Sequence, residues 1–306
     1  GGLMKYTVEP WSAEYGASSE AAMQDAAQPP KLDVEMDPSK WAPITPSWDG
    51  RTDVVFIDGV RRVDANVWIE QPNDLPALGL CAVYAAGAVR ANGSAEVVAV
   101  ESARGLFTSA LGASDIETRH GSYRVHPSAG ESPEDLWLAI QSEMGKQEGE
   151  LARTFGEEAL VVVDGPLSHG RHPNGVVGYV KRQHTHYLPP EMRRILLGLP
   201  VARRTPIFLI GGRSNRYSWY QRLALGSGPA GGLVRCEIAA DAPIDQAIRL
   251  ADTVAALLPR FASEPHKDPR APQNLYPIAG LERALRRRLG DPSLMERAIR
   301  IASAVS

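Results

Sequence analysis

Runs and alternations of hydrophobic residues divide the chain into strand-like and helix-like segments. Val54–Ile57 and Leu160–Val163 are uninterrupted apolar runs with the length of a buried strand, and residues 63–70 alternate between apolar and polar positions. Between residues 132 and 153 the apolar positions recur at helical spacing, and Ser132-Pro133-Glu134-Asp135 supplies a cap, an early proline and acids in the first turn. These patterns predict a helix between two groups of strands.

Further strands are predicted at residues 79–90, 96–101, 175–181, 205–211, 218–224 and 232–238, and further helices at residues 190–198, 244–258 and 281–301. Short connections between the first strands favour an antiparallel meander. A meander, then a helix, then a strand that ends in an acid is the element order of an RNase H-like fold. We therefore expect an α/β protein with an RNase H-like core, in which a mixed sheet with an antiparallel meander is flanked by helices.

The first 50 residues differ in composition from the rest of the chain. They are rich in Pro, Ser, Ala and acids, and such a segment buries little apolar surface. We expect residues 1–50 to form an extended N-terminal arm with one helix near residues 18–28, and residues 51–306 to form one domain. Trp41 and Trp48 are expected to hold the arm against the body or a partner.

The chain has the composition of a soluble protein from a reducing compartment. No apolar run reaches the ~20 residues needed to cross a bilayer, and the first residues lack the pattern of a signal peptide. Cys81 and Cys236 are far apart in apolar surroundings, which favours neither a zinc site nor a disulfide framework. We expect a cytoplasmic protein with no membrane partner.

The charges are unevenly distributed along the chain. Residues 1–164 hold 12 basic and 26 acidic residues, whereas residues 165–235 hold 11 basic residues and one acid, Glu191; residues 266–306 hold 8 basic and 4 acidic residues. A cationic segment in an acidic chain indicates a polyanionic partner, and nucleic acid is the usual one. The alternative is that the two halves neutralise each other within the fold.

Two predicted strands end in the same way, at Asp58-Gly59 and at Asp164-Gly165. If these strands are neighbours, their carboxylates converge and repel each other unless a cation lies between them. Mn²⁺ or Mg²⁺ would satisfy such a pair, and two ions ~4 Å apart would clamp the attacking and leaving oxygens of a phosphodiester displacement. The alternative is that each Asp-Gly pair only opens a turn.

Two further charged side chains complete this predicted site. Glu148, about two turns before the end of the helix, is expected to be the third carboxylate, with Glu150 as the second choice and Glu101 as a further candidate. Lys181 ends the predicted strand 175–181 and is expected to contact the scissile phosphate. The alternative for Lys181 is an ordinary surface lysine that extends its ammonium into water.

Aromatic and basic residues alternate between residues 213 and 222, a pattern that suits single-stranded DNA because bases stack on rings and guanidiniums bind phosphates. The alternative is a buried strand with an amphipathic rim. The residues predicted to bind nucleic acid are Lys181, Arg182, Arg213, Arg216, Trp219, Arg222 and Arg270. His184 and His186 extend the positive segment but are not expected to bind zinc.

Five blocks of the chain resemble, in this order, the successive blocks of the NurA nucleases. They are residues 54–59, 161–167, 175–181, 217–223 and 234–238, and the resemblance covers roughly residues 50–290. The most telling pair is Val163-Asp164-Gly165-Pro166-Leu167 followed by Gly175-Val176-Val177-Gly178-Tyr179-Val180-Lys181.

The resemblance implies a homodimer with an RNase H-like core that cuts DNA with Mn²⁺, 5′ to 3′ on single strands and also endonucleolytically. It also implies a partner, HerA, a hexameric ATP-driven DNA translocase. On the matching positions, Asp58 and Asp164 would be the metal aspartates, Glu148 the helical glutamate, and Lys181 and Tyr220 the remaining catalytic residues.

The chain departs from the family pattern in its last block, residues 275–284, where the family has a histidine and this chain has none. Glu282 or His266 is expected to replace it as a metal ligand. We therefore expect a metal-dependent deoxyribonuclease that acts on single- and double-stranded DNA in end resection, break repair or defence. One alternative is a non-catalytic DNA-binding subunit of a HerA-type complex; another phosphoryl-transfer enzyme is disfavoured because the chain lacks a glycine-rich phosphate loop.

Overall fold

The computed structural model describes residues 29–50, 52–72, 74–168, 172–181, 187–212 and 214–304. These residues form a mixed α/β structure with a large sheet and helices, which confirms the predicted α/β class. Two compact units emerge from the contacts: unit 1 holds the described residues of 1–56, 90–95 and 152–279, and unit 2 those of 57–89, 96–151 and 280–306. No helix in the described ranges is long and apolar enough to span a bilayer. The helix predicted near residues 18–28 lies outside these ranges.

The strands are β1 (Val54–Ile69), β2 (Ala77–Asn92), β3 (Ser94–Thr108), β4 (Ile116–Thr118), β5 (Gly121–Pro127), β6 (Leu160–Asp164), β7 (Val176–Val180), β8 (Phe208–Ile210), β9 (Arg216–Arg222) and β10 (Leu233–Ala239). The helices are α1 (Pro133–Gly156), α2 (Arg193–Leu197), α3 (Ile244–Leu257), α4 (Tyr276–Arg288) and α5 (Pro292–Ser303). Short 3₁₀ helices occur at Pro38–Lys40, Pro190–Met192 and Leu258–Phe261.

Unit 2 is built on the strand order β4-β5-β3-β2-β1, with β5 parallel to β3 and β1 entering the unit at Ile57. The helix α1 packs on this sheet through Leu136, Ile140 and Met144, which form a buried cluster with apolar residues of β2 and β3. The helical spacing of these three residues is the pattern that predicted the helix from the sequence.

The strand β1 is continuous, although the sequence predicted two strands at residues 54–58 and 63–70. Arg61 and Arg62 interrupt the hydrophobic pattern, but both side chains find partners from an extended backbone. The Arg61 guanidinium lies over the ring of Trp137 on α1, and Arg62 pairs with Asp64 at 2.7 Å. The strand therefore continues through the two arginines.

The predicted helix 281–301 is two helices, α4 and α5. Gly290 adopts a φ of +78°, a left-handed conformation that favours glycine beyond the end of a helix. Asp291 caps α5, because its Oδ1 accepts a hydrogen bond from Leu294 N at 3.0 Å. The break is encoded in Gly290-Asp291-Pro292, and the hydrophobic spacing alone does not reveal it.

Unit 1 contains the strand order β6-β7-β10-β9-β8. The strands β6 and β7 are parallel, and β10 is antiparallel to both β7 and β9. The strands predicted near residues 218–224 and 232–238 are thus present and are neighbours in the sheet. The predicted strand 205–211 is shorter, at Phe208–Ile210, because Pro206 has no N–H to donate to a neighbouring strand.

The described part of the predicted N-terminal arm packs on unit 1. Two backbone bridges hold it, from Lys31 to Leu209 and from Ile44 to Arg204. Trp41 is buried in a cluster with apolar residues of β8 and β9. The two bridges and Trp41 therefore attach residues 29–50 to unit 1.

A buried ion cluster strengthens this attachment. Arg204, which is 1% exposed, donates from Nη1 and Nη2 to the two carboxylate oxygens of Glu35 at 2.8 and 2.9 Å, and from Nε to Asp252 of α3 at 2.6 Å. Ile207 N also donates to Glu35, at 2.7 Å. Burial alone would lower the pKa of Arg204, but the hydrogen bonds and charges of Glu35 and Asp252 raise it. Glu35 is therefore the residue through which the N-terminal segment is bonded to the interior.

We expect Glu35→Ala to lower the free energy of unfolding by about 3–5 kcal/mol, because it leaves a buried guanidinium with an incomplete set of partners. The matched control is Asp33→Ala, which removes an exposed acid two residues away and is expected to change stability by less than ~0.5 kcal/mol. Urea unfolding followed by tryptophan fluorescence measures both. Equal midpoints for Glu35→Ala and the wild type would contradict the anchoring role of Glu35.

Candidate functional site

Asp58 and Glu148 come to neighbouring positions in unit 2. Asp58 is a buried residue of β1, and its Oδ1 accepts a hydrogen bond from Gly59 N at 2.8 Å. Glu148 reaches β1 from α1: a Cβ atom added to Gly59 would lie 2.7 Å from Glu148 Oε1 and 2.8 Å from Met144 Sδ. Glycine at position 59 is therefore what lets the helix carboxylate approach the strand beside Asp58.

Arg61 lies within electrostatic range of both acids. Its guanidinium carbon is 4.8 Å from the centre of the Trp137 ring, a distance typical of a cation–π contact. Burial lowers the pKa of Arg61, while the charges of Glu148 and Asp58 oppose that shift. Within the described residues, Arg61 Nε has no hydrogen-bond partner. The sequence analysis did not select Arg61; the available signal was a basic residue three positions after the strand-end aspartate.

Asp164 and Lys181 meet in unit 1 because β6 and β7 are parallel neighbours, with Asp164 opposite Tyr179. Lys181 Nζ donates to Asp164 Oδ2 at 2.6 Å, and the lysine side chain is only 4% exposed. The alternative of an ordinary surface lysine is therefore wrong. The structure pairs this cation directly with one of the two predicted metal aspartates.

The turn after Asp164 is held in place from several sides. Gly165 has a φ of +114°, and its N–H donates to Tyr179 O at 2.8 Å. Leu167 N donates to Glu237 Oε1 at 2.8 Å, and Arg216 Nη2 donates to the carbonyl of Ser168 at 2.7 Å. These contacts come from residues of β7, β9 and β10. They fix the backbone next to Asp164 and therefore the position from which its side chain extends.

Two residues beside Lys181 were missed by the sequence analysis. Asn274 Oδ1 accepts a second hydrogen bond from Lys181 Nζ at 2.8 Å, and Asn274 Nδ2 donates to Asp268 Oδ2 at 2.5 Å. Burial would raise the pKa of Asp268, but hydrogen bonds from Asn274 and Arg270 hold it below its ordinary value. The only sequence signal was their position just before the block that begins at Leu275.

The predicted nucleic-acid residues of β9 lie inside the protein. Trp219 is 0% exposed, and Tyr220 stacks on Phe208 with ring centroids 5.7 Å apart. Arg222 is buried and donates to the carbonyls of Leu197, Leu199, Pro229 and Gly231. Burial lowers the pKa of both Arg216 and Arg222. Of the two alternatives for this stretch, the buried strand matches the positions of these side chains.

Burial of basic side chains also explains part of the excess of positive charge in residues 165–235. Of the eight basic residues of this segment that the structure describes, five are buried, namely Lys181, Arg204, Arg216, Arg222 and Arg235. Arg235 pairs with Glu237 and lies over the ring of Tyr187, 5.0 Å from its centre. The charge excess in the sequence is thus partly an interior feature. Arg182, Arg213, His184 and His186 lie outside the described residues.

The two proposed substitutes for the missing histidine are in different surroundings. Glu282 on α4 accepts from Arg286 Nη2 at 2.8 Å, and the exposed His266 lies 3.3 Å from Glu264. Arg270 donates from its backbone N–H to Asp268 at 2.7 Å. Within the described ranges, no group of three or more His, Cys, Asp and Glu side chains is placed to hold a metal ion.

An exposed basic surface lies on α4. Its members are Arg283, Arg286, Arg287 and Arg288, all with solvent-exposed side chains. The sequence analysis registered the charge of residues 266–306 but selected none of these arginines. Their helical spacing places Arg283 and Arg287 on one face.

Comparison with known proteins adds no family assignment. No protein-family model matches the chain, and no curated protein is significantly similar to it. The resemblance to the NurA nucleases therefore rests on the sequence blocks alone and stays a prediction.

We expect Gly165→Ala to destabilise the protein by about 1–2 kcal/mol, because an alanine at a φ of +114° is strained although no atom lies within 4 Å of the added Cβ. The control is Gly212→Ala, which also adds a Cβ in open space but has no positive φ. Chemical unfolding of the two variants measures the difference. Equal stabilities would show that the turn after Asp164 tolerates a side chain.

Proposed function

We propose that this chain is a divalent-metal-dependent DNA nuclease with an RNase H-like core, and that Asp58, Glu148 and Asp164 are metal ligands. The observation that carries the proposal is that Glu148 of α1 lies against Gly59, the residue after Asp58, and that the charges of both acids act on Arg61. Carboxylate oxygens are hard ligands that suit Mn²⁺ or Mg²⁺. When bound, such an ion polarises the attacking water and the leaving oxygen of a phosphodiester.

We further propose that the nuclease is of the NurA type and acts as a homodimer with a HerA-type hexameric translocase. It would digest single- and double-stranded DNA, as a 5′-to-3′ exonuclease and as an endonuclease, in end resection, break repair or defence. The support is the order of the sequence blocks, together with the strand and helix positions of Asp58, Glu148 and Asp164.

The chain's own residues would provide the electrostatic part of catalysis. Lys181 lies 2.6 Å from Asp164, so its ammonium would offset negative charge that develops at the phosphate. Arg61 adds a second cation beside Asp58 and Glu148. Tyr220 is buried and stacks on Phe208, so it would support the core and would not contact DNA.

A non-catalytic DNA-binding subunit is the second candidate. It is favoured by the hydrogen bond from Lys181 to Asp164, because an ammonium neutralises this carboxylate without a metal ion. The absence of a histidine from residues 275–284 favours the same candidate. Such a subunit would bind DNA and cut none.

We expect the wild-type protein to cut end-labelled DNA with Mn²⁺ or Mg²⁺ and to lose this activity in EDTA. Asp58→Ala is expected to reduce the rate at least on the order of 100-fold, since even residues behind metal ligands contribute up to that much. Absence of cleavage by the wild type, both alone and with a HerA-type translocase, would contradict the nuclease and support the binding subunit.

The helix carboxylate provides a matched comparison within the same assay. Glu148→Gln removes the charge beside Gly59, whereas Glu150→Gln removes an exposed charge two residues along α1. Only the first substitution is expected to reduce cleavage and to raise the Mn²⁺ concentration required for half-maximal rate. Equal effects of the two would exclude Glu148 as the specific ligand.

We expect the arginines of α4 to contribute to DNA binding through bonds to phosphates. The double substitution Arg283→Glu with Arg287→Glu should weaken binding and reduce the slope of log affinity against log salt by about 1 for each phosphate that is no longer neutralised. The control is Arg119→Glu with Arg124→Glu, an equal charge change at exposed positions near β5. Fluorescence anisotropy at several salt concentrations measures DNA binding by both variants. Equal salt slopes for the two double variants would show that α4 is not part of the DNA-binding surface.

A further inference from the structure

Lys181 is held between two different acceptors inside unit 1. Its Nζ donates to Asp164 Oδ2 at 2.6 Å and to Asn274 Oδ1 at 2.8 Å. Asn274 is fully buried. A lysine side chain has four rotatable carbon segments, so an unrestrained ammonium would sample many positions. The two acceptors together define where the ammonium lies.

The amide of Asn274 can take only one orientation in this arrangement. Lysine only donates hydrogen bonds and a carboxylate only accepts them, so the amide oxygen must face Lys181 and the amide nitrogen must face Asp268. Asn274 Nδ2 does donate to Asp268 Oδ2, at 2.5 Å. The Asp268 carboxylate is held in turn by Arg270 N at 2.7 Å. Asp268 thus determines which end of the Asn274 amide the lysine meets.

The loop that carries Asn274 is attached to the same strand that carries Lys181. Tyr179 Oη donates to the carbonyl of Gln273 at 2.6 Å, and Tyr179 is two residues before Lys181. Asn274 N also donates to Arg270 O at 3.1 Å. The contact of Tyr179 with this loop therefore helps to place Asn274 beside Lys181, although the two residues are 93 positions apart in the sequence.

This arrangement is costly if its only role is structural. Removing an ion pair from water requires several compensating bonds, and apolar residues of similar volume often stabilise a core as well or better. A network that fixes one ammonium beside a carboxylate is more typical of a binding or catalytic site, where the function depends on the exact position of a side chain.

We infer that Asn274, oriented by Asp268, is a positioning residue that sets the place of the Lys181 ammonium for its action on a phosphodiester. The inference rests on the proposed nuclease function, because it assigns Lys181 its substrate. Neither Asn274 nor Asp268 touches DNA in this role; both act through Lys181.

The central test is a double-mutant cycle between Asn274→Ala and Lys181→Met. In the wild-type background, Asn274→Ala is expected to lower kcat about 10- to 100-fold with little change in KM, as a displaced catalytic group does. In the Lys181→Met background the same substitution is expected to have no further effect, because residues that act through one another are not additive. Equal effects of Asn274→Ala in both backgrounds would overturn the inference.

The matched control is Tyr179→Phe, which removes the bond to Gln273 O and loosens the same loop without touching the Asn274 amide. It is expected to lower the unfolding midpoint and to reduce kcat by clearly less than Asn274→Ala does, because the amide oxygen that accepts from Lys181 is still present. A loss of kcat equal to that of Asn274→Ala would show that the loop anchor, and not the amide, is responsible.

A measurement that needs no activity separates this inference from the nuclease proposal. The chain has six lysines, so the ammonium signal of Lys181 in ¹⁵N-lysine-labelled protein can be assigned by its loss in Lys181→Met. Asn274→Ala should shift or broaden this signal, and Tyr179→Phe should change it clearly less, because it leaves the Asn274 amide present. An unchanged signal in Asn274→Ala overturns the positioning of Lys181 even if DNA is cut. A responsive signal in a protein that cuts no DNA overturns the nuclease and leaves the positioning intact.

Discussion

Basic residues inside unit 1 must be neutralised without water, and this constraint organises a large part of the unit. A buried cation that lacks partners costs several kcal/mol, so each one must gather acceptors from the surrounding chain. Arg204 joins the N-terminal segment to α3, and Arg222 joins residues 197–199 to residues 229–231. Lys181 joins the end of β6 to the segment before α4. Each buried cation therefore links parts of the chain that are distant in sequence.

The same constraint changes what the charge distribution means. Eleven basic residues against one acid in residues 165–235 indicated a surface for a polyanion. Of the eight that the structure describes, however, five are interior residues. Many of their acceptors are backbone carbonyls, which carry no formal charge and cannot be counted in a sequence. Arg222 illustrates this, because four carbonyls and no carboxylate accept its hydrogen bonds. A segmental charge excess is thus evidence for a polyanion only where the side chains reach the surface, as they do on α4.

What the sequence could predict was local. The apolar runs located β6 and the start of β1, and the helical spacing with its N-terminal signals located α1. Glu148 was selected from the sequence, but its close approach to Gly59 is visible only in the fold. The continuity of β1 was not predictable from hydrophobicity, because it depends on an aromatic partner for Arg61 from another element. The Asn274 contact was beyond prediction for the same reason: an asparagine in a loop has many local roles, and its relation to Lys181 exists only once β7 and the loop are packed.

Lys181 in unit 1 and Arg61 in unit 2 are held by different physical means, and the difference bears on what each side chain can do. Lys181 is held in place by hydrogen bonds to Asp164 and Asn274. Two of the N–H groups of its ammonium are therefore already used. Arg61 is located by an aromatic face, which attracts the charge of a guanidinium without consuming its N–H groups. Among the described residues, Arg61 Nε indeed has no hydrogen-bond partner. In the proposed nuclease, Lys181 is therefore suited to act as a fixed point charge, whereas the position of Arg61 depends on the Trp137 ring and on the charges of Asp58 and Glu148.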